Sequence, residues 1–269
     1  MLEAKRALGE QALVPIEPRF LRLEAFPGRI YTDLAPWWHL LSAPADYAEA
    51  AAFYWNVIQS ACASPPRTIL ELGSGGGNNA SFLKRHCRLT LVDLSPQMLD
   101  QSRSINPECE HVIGDMRSIR LGRLFDAIFV QDAISYMLTE ADLEQAIRTA
   151  LLHCRPGGVA LFAPDYVRET LRSSTGHGGH DGDRRGMRFL EWTWDPDPDD
   201  STYLVDFAYL LRDETGELRV ESDRLQLGVF RRADWLRIMG GVGFEPRAIP
   251  FEQSELGPGS EIFLGLKPI

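Results

Sequence analysis

Short apolar runs alternate with helical segments in the middle of the chain, and this alternation constrains the fold more than any other feature. The apolar runs lie at about 68–72, 89–93, 111–113, 125–130 and 159–163. Each run is apolar on both faces, which is typical of parallel strands that helices cover on both sides. The pattern therefore predicts a parallel sheet.

Helix-start signals separate these runs. Ser95 precedes Pro96, so an N-cap side chain is followed by a proline at the first helical position. Thr139 and Asp142 have the spacing of a capping box and open an apolar stripe of helical period. Together the signals predict an α/β fold with a doubly wound, mostly parallel sheet.

The pattern changes on both sides of this region and divides the 269 residues into four parts. Residues 1–66, rich in proline and aromatic residues, are predicted to form an N-terminal helical cap. Residues 67–165 form the core. Residues 166–230 combine a polar, glycine-rich loop at 173–186 with an antiparallel β insertion, and residues 231–269 add a helix and the last strands of the core.

Composition and charge exclude several classes of protein. The formal net charge is -10, which disfavours binding to a phosphate backbone, so no nucleic-acid partner is expected. The four cysteines form no CxxC pair, and we expect neither a disulfide framework nor a zinc site. No apolar run approaches the ~18 residues of a membrane span, and the start lacks an apolar signal segment. These features predict a soluble, cytoplasmic protein without a membrane partner.

Polar and glycine residues follow successive strands of the predicted sheet. Glu71 lies in the first strand, which leads into a loop with Gly73 and Gly75; Asp93 ends the second strand, and Asp115 follows the third. In an open α/β sheet, ligands bind outside the carboxyl ends of the strands. The sequence therefore predicts one ligand site that these residues share.

The loop distinguishes two kinds of nucleotide cofactor. A dinucleotide needs GxGxxG, but Asn78 stands at the sixth position here. The carboxylate of Glu71 would repel a pyrophosphate and suits a cation. These residues favour S-adenosylmethionine, with Asp93 placed to accept from both ribose hydroxyls and Asp115 from the adenine amino group.

At this point the sequence resembles the class I S-adenosylmethionine-dependent methyltransferases. The resemblance covers about residues 66–165 and rests on ILELGSGGG, LVDLS, IGDM and FDAIFVQDAISYM. It implies a seven-stranded sheet whose last strand is antiparallel. The candidate cofactor contacts within this region are Glu71, Gly73, Gly75, Asp93, Leu94, Met98, Gly114, Asp115, Met116, Gln131 and Asp132.

In layout, the remainder resembles the N,N-dimethyltransferases of nucleotide-linked amino sugars. This resemblance rests on IYTDLA near the N-terminus and on the hairpin FAYLLRDETGELRVESDRLQLGVFRRADW. It implies that Tyr31 lies over the cofactor and that the insertion at 166–230 covers the acceptor site.

Four side chains are candidates for the acceptor site: Trp38, Tyr136, His177 and His180. Tyr136, His177 and His180 are also the catalytic candidates, because a hydroxyl acceptor would need a general base. His177 and His180 lie in an HxxHD pattern on a glycine-rich loop, without the rigid helix that usually presents metal ligands, so no metal is expected. Trp38 is as compatible with core packing as with a substrate wall.

We therefore predict a methyltransferase that uses S-adenosylmethionine, releases S-adenosylhomocysteine, and acts on a small molecule. The acceptor is expected to be an amine, such as that of an amino sugar, or a hydroxyl. One alternative is an S-adenosylmethionine-binding protein without methyl transfer, and another is a dinucleotide-dependent oxidoreductase. A homodimer is a further expectation.

Overall fold

The computed structural model describes residues 28–251 and 260–269. Its strands are, in chain order, β1 (Thr68–Leu72), β2 (Arg88–Asp93), β3 (Glu110–Ile113), β4 (Phe125–Gln131), β5 (Cys154–Ala163), β6 (Ser174–Gly178), β7 (Gly186–Trp194), β8 (Thr202–Arg212), β9 (Leu218–Gly228), β10 (Glu245–Pro250) and β11 (Glu261–Leu266). Its helices are α1 (Trp38–Leu41), α2 (Ala48–Ala61), α3 (Ala80–Leu83), α4 (Pro96–Ile105), α5 (Glu140–His153) and α6 (Arg232–Val242).

Seven strands form the main sheet, in the order β10-β11-β5-β4-β1-β2-β3. Neighbouring strands from β1 to β5 are parallel, whereas β11 is antiparallel to both β5 and β10. The predicted seven-stranded, mostly parallel sheet with an antiparallel last strand is confirmed. Its strand order reverses between β1 and β4, where ligand crevices form in such sheets.

Helices cover both faces of this sheet, because each central strand carries apolar side chains on both sides. On one face Ile128 and Phe162 pack with Ile147 of α5 and Trp235 of α6. On the other face Phe129 belongs to a buried cluster of residues that includes Tyr54, Ile58 and Leu161. The apolar runs in the sequence are therefore strands buried on two sides.

A second, antiparallel sheet has the order β6-β7-β8-β9 and lies between β5 and α6 in the chain. Ile30 and Leu34 of the N-terminal segment pack with Tyr209 of this sheet in a separate buried cluster. The predicted antiparallel insertion is present; Ile30, Leu34 and Trp37 of the predicted cap pack on it, whereas α2 packs on the main sheet.

The predicted polar loop at 173–186 contains an element that the sequence did not indicate. Ser174–Gly178 forms an edge strand that pairs antiparallel with β7. Main-chain hydrogen bonds suffice for an exposed edge strand, so polar side chains and glycines do not prevent it. The parts of the predicted cap at 1–27 and of the C-terminal region at 252–259 lie outside the described residues.

Within the described ranges, no helix combines the length and apolar character that a membrane crossing requires.

Candidate active site

The glycine loop after β1 is held in place by the end of β2. Gly73 and Gly75 have φ values of 73° and 53°, a region that glycine adopts without strain. The Gly75 amide donates to Asp93 Oδ2 at 2.8 Å. A Cβ atom on Gly73 would lie 2.2 Å from Ala133 Cβ, so the chain passes the loop after β4 more closely than a side chain allows.

A cavity of about 1530 Å³ opens at the carboxyl ends of the central strands and extends to the second sheet. Most predicted site residues line it: Tyr31, Trp38, Glu71, Gly73, Gly75, Asp93, Leu94, Gly114, Asp115, Met116, Gln131, Asp132 and Tyr136. Met98 is fully buried below the loop, where its Cε would lie 3.6 Å from a Cβ on Gly75. Pockets for one small ligand usually measure about 300–1,000 Å³, so this cavity has room for two.

Glu71 is the most unusual carboxyl group of the site. It is 3% exposed, and its Oε2 has no hydrogen-bond partner among the described residues. Burial, with the nearby charge of Asp93, raises the pKa of Glu71 to about 8. A buried carboxylate without a partner is costly, and a cationic ligand in the cavity would offset that cost.

The other two predicted carboxylates already have partners. Asp93 Oδ1 accepts from the Ser95 amide at 2.9 Å, while its Oδ2 holds the glycine loop. Asp115 accepts from the Arg117 amide at 2.8 Å and from the Arg117 guanidinium at 2.7 Å, which lowers the pKa of Asp115. Arg117 also donates to Asp142 at 3.0 Å, so the predicted adenine ligand is part of an ion-pair network.

Aromatic side chains form the wall between the two ends of the cavity. The Tyr136 hydroxyl donates to the Tyr31 hydroxyl at 2.6 Å, and the two rings meet edge to face with centroids 5.7 Å apart. The Tyr31 and Trp38 rings lie 5.8 Å apart. Burial raises the pKa of Tyr136 well above its ordinary value, so its phenol stays protonated near neutral pH. Tyr136 can therefore orient a ligand, but it is a poor general base.

The loop after β4 places Asp132 in the cavity wall. Gln131 Nε2 donates to Asp132 Oδ2 at 2.9 Å, and Asn79 Nδ2 donates to Gln131 Oε1. A side-chain hydrogen bond joins Asp132 to Asp165, which follows β5. Desolvation raises the pKa of both carboxyl groups.

The two predicted catalytic histidines are not among the cavity-lining residues. His177 lies in β6 opposite Leu190, and His180 Nε2 is 2.9 Å from Asp46 Oδ2. In this structure His177 lies in the edge strand β6 and His180 follows it, so neither imidazole lines the cavity, and their role at the acceptor site stays a prediction. Within residues 28–251 and 260–269, no three His, Cys, Asp or Glu side chains group in a way that could hold a metal ion.

Sequence reasoning missed several residues that line the cavity. The roof from β8 and β9 includes Asp206, Phe207, Ser222, Asp223, Arg224, Leu225 and Gln226. The hairpin was expected as a roof, but no local signal showed which side chains point inward. Arg117 and Asp165 carry no motif either, because their roles arise from contacts between different strand ends.

Residues 69–158 match a family model described as a methyltransferase domain. A dTDP-3-amino-3,4,6-trideoxy-alpha-D-glucopyranose N,N-dimethyltransferase from Streptomyces venezuelae is 25% identical over 224 residues, which cover 82% of this chain and 91% of that protein.

Two solved structures share the fold. A sugar N-methyltransferase from a Streptoalloteichus species has a TM-score of 0.73 at 24% identity, covering 91% of this chain and 95% of that one. An amino pentose methyltransferase from Micromonospora echinaspora, solved with S-adenosylmethionine bound, has a TM-score of 0.70 at 22% identity, covering 81% and 90%.

Proposed function

We propose that this chain, a methyltransferase that uses S-adenosylmethionine and acts on a small molecule, takes the amine of an amino sugar as its acceptor. The observation that carries the proposal is the single cavity that runs from the glycine loop to the roof formed by β8 and β9. One end has the residues that suit the cofactor, and the other end is lined by β8 and β9 and has room for a small acceptor.

The residues at the sheet edge fit the cofactor. Glu71, buried and without a partner at Oε2, would face its cationic amino-acid part, and Gly73 and Gly75 would allow close approach to the backbone. Asp93 would accept from the ribose hydroxyls with the lone pairs that Gly75 and Ser95 leave free. When bound, the cofactor supplies a methyl group on a sulfonium.

The protein's own contribution is to bring the acceptor atom into line and to exclude water. Tyr31 and Tyr136 form the wall between the two ends of the cavity, and their joined hydroxyls fix both rings. Phe207 of β8 adds an apolar surface on the side of the second sheet. A sugar ring held between these groups would have little freedom to turn its amine away.

The choice of an amine over a hydroxyl rests on charge. Even without Glu71 and Asp132, whose pKa values are raised, carboxylates lining the cavity outnumber its arginines: Asp93, Asp115, Asp142, Asp206 and Asp223 against Arg29, Arg117 and Arg224. Each of these arginines is paired with a carboxylate. Such a cavity attracts an ammonium group, and the Streptomyces venezuelae relative is named for N,N-dimethylation of an amino sugar.

The test is a methyl-transfer assay with matched acceptors. The protein is incubated with S-adenosylmethionine and either a nucleotide-linked amino sugar, the free amino sugar, or the same nucleotide-linked sugar with a hydroxyl in place of the amine. Mass spectrometry should show one or two added methyl groups on an amine acceptor, together with S-adenosylhomocysteine. Methylation of the hydroxyl sugar alone would contradict the amine assignment, and cofactor binding without any product would favour a binding protein.

We also propose that the protein is a homodimer and has no nucleic-acid partner. Leu190, Leu210 and Val220 are exposed on the outer face of the second sheet, where Leu210 lies opposite Val220. Arg188 and Asp181 form an ion pair nearby, so the face offers both charges to a second copy. Light scattering on a wild-type sample and on a Val220→Glu sample tests this, since the added charges should separate the copies.

A further inference from the structure

Two aspartates meet where neighbouring parallel strands end. Asp132 follows β4 and Asp165 follows β5, and the Asp132 amide donates to the Ala163 carbonyl at 2.8 Å. The parallel register, with Gln131 opposite Ala163, brings the two carboxyl groups into hydrogen-bond contact. Asp132 lines the cavity, whereas Asp165 is not among the lining residues.

The backbone at Asp132 is held in an unusual conformation. Among the described residues, Asp132 is the one non-glycine residue with a positive φ, 42°. Such a conformation costs free energy and persists only where the surrounding structure enforces it. Two hydrogen bonds enforce it here: the Asp132 amide donates to the Ala163 carbonyl, and the Gln131 side-chain amide donates to Asp132 Oδ2.

The surroundings of the pair offer hydroxyl groups but no cation. Within residues 28–251 and 260–269, neither carboxyl forms an ion pair with a lysine, arginine or histidine. The groups that interact electrostatically with the pair are the phenols of Tyr31, Tyr47, Tyr54, Tyr136, Tyr166 and Tyr203 and the carboxyl of Glu191. Tyr203 donates to Asp165 Oδ2 at 3.4 Å. Two touching carboxyl groups without a cation cannot both be ionised, so the pair keeps one proton.

Other buried acceptor atoms in the same cavity point to a ligand that donates hydrogen bonds. Glu71 and Asn79 are 3% and 5% exposed, both line the cavity, and Glu71 Oε2 and Asn79 Oδ1 have no partner among the described residues. Asn79 is linked to Asp132 through Gln131. Trp38 Nε1 is a donor without a partner in the same cavity, but the unpartnered atoms of Glu71 and Asn79 are acceptors and can accept from the N–H groups of an ammonium.

We propose that Asp132 and Asp165 form a proton-sharing pair that takes the proton which the acceptor ammonium must lose before methylation. This inference rests on the proposed function. In the step, an N–H bond of the ammonium breaks and its electron pair stays on nitrogen, while the proton forms an O–H bond on Asp132. The pair passes from one shared proton and one negative charge to two protons and no charge, and the neutral amine then has the lone pair that methyl transfer requires.

The environment adjusts the pair to this task. Desolvation raises the pKa of both carboxyl groups and so brings them closer to the pKa of an amine, which makes proton transfer less uphill. Asp165 acts as a positioning residue, because it touches the acceptor only through Asp132. Tyr136 is less suitable as the proton acceptor, since its phenol stays protonated.

The first test is the pH dependence of turnover in Asp132→Asn. Asparagine has the shape of aspartate and can keep the main-chain contact to Ala163, so the fold should survive. At neutral pH we expect kcat to fall by about 10²–10⁴. The loss should shrink as the pH rises, because the acceptor ammonium then loses its proton to solvent without the pair. The acidic limb of the kcat/KM profile should therefore move to higher pH. The matched control is Asp183→Asn, an exposed carboxylate outside the cavity, which should keep the wild-type profile.

The second test needs no acceptor. Beside the raised pKa values of Asp93 and Asp223, NMR of labelled aspartate carboxyl carbons should show a further raised pKa that disappears in Asp132→Asn and falls toward its ordinary value in Asp165→Asn. An ordinary pKa for Asp132 in the wild type, or an unchanged pH profile in Asp132→Asn, would overturn the inference. A wild-type protein that methylates no amine contradicts the proposed function instead, and the titration still decides whether the pair exists.

Discussion

Glu71 makes the stability of the protein depend on pH. Its pKa is raised from 4.5 to about 8 by burial and by Asp93. Between these two values the folded state holds a proton that the unfolded state has released, so the free energy of unfolding falls as pH rises through this window. We expect Glu71→Gln to flatten this fall and to raise the free energy of unfolding at pH 8 by ~1–3 kcal/mol, because the unpaired buried charge is gone.

Urea unfolding of cofactor-free protein at several pH values measures this effect. The same substitution should weaken S-adenosylhomocysteine binding, because the ammonium of the ligand loses its counter-charge. A less stable Glu71→Gln protein with unchanged binding would mean that Glu71 has a structural partner instead.

Asp93 has a structural contact and a predicted ligand contact on the same carboxylate. Asp93→Ala should weaken S-adenosylhomocysteine binding at least ~10-fold, because hydrogen bonds to a charged group contribute ~1.5–3 kcal/mol. Asp93→Asn keeps one acceptor oxygen, which can serve either the Gly75 amide or a ribose hydroxyl. Its dissociation constant should lie between those of the wild type and of Asp93→Ala. Calorimetry measures the dissociation constants, with Asp183→Ala as a surface control. An unchanged constant in Asp93→Ala would remove Asp93 from the site.

At the scale of elements, the glycine loop depends on close approach more than on backbone freedom. Gly73 and Gly122 both have positive φ, but a Cβ on Gly73 would meet Ala133 Cβ at 2.2 Å, while one on Gly122 meets nothing within 4 Å. Gly73→Ala should therefore abolish measurable S-adenosylhomocysteine binding. Gly122→Ala has only the backbone strain, ~1–2 kcal/mol, and should bind normally. Equal binding by both variants would show that the glycine loop can move away from Ala133, after β4, without weakening cofactor binding.

The elements that the sequence predicted are those whose signals are local. Ser95 Oγ accepts from the Met98 amide at 3.1 Å, and Thr139 Oγ1 accepts from the Asp142 amide at 3.1 Å, as their positions before helices indicated. The central strands were predictable because they are apolar on both faces. The edge strand β6 was not, because its main-chain hydrogen bonds to β7 leave no trace in its polar side chains.

The residues of the candidate site also differ in whether the sequence alone could indicate them. Glu71 and Asp93 were predictable, since each is a polar residue in or at the end of an apolar strand, and all such ends meet at one edge of a parallel sheet. Asp165 also follows a strand, but its contact with Asp132 depends on which strands are neighbours. The inward side chains of β8 and β9 depend on how a second sheet lies on the first. The histidines at 177 and 180 formed a suggestive pattern, yet chain pairing placed them at a sheet edge.

At the scale of the whole molecule, the proposed function assigns the cofactor to the main sheet and the acceptor to the second sheet. The main sheet supplies the glycine loop and the carboxylates at its edge, and the second sheet supplies the roof. Substitutions in the roof should therefore change the KM of the acceptor and leave the dissociation constant of the cofactor unchanged. Substitutions at the edge of the main sheet should change the dissociation constant of the cofactor and leave the acceptor KM unchanged.

Phe207 provides the sharpest test of this division. It lines the cavity and stacks on Tyr209 with ring centroids 5.3 Å apart, so Phe207→Leu removes apolar surface from the roof and keeps a branched side chain in place. We expect the acceptor KM to rise about tenfold, the scale of a poorer apolar fit, and the dissociation constant of S-adenosylhomocysteine to stay the same. Phe53→Leu is the matched control, because Phe53 packs on Phe251 with centroids 4.5 Å apart and does not line the cavity. Steady-state kinetics and calorimetry on both variants give the two constants. Weaker cofactor binding in Phe207→Leu with an unchanged acceptor KM would place the acceptor elsewhere and make the second sheet part of the cofactor site.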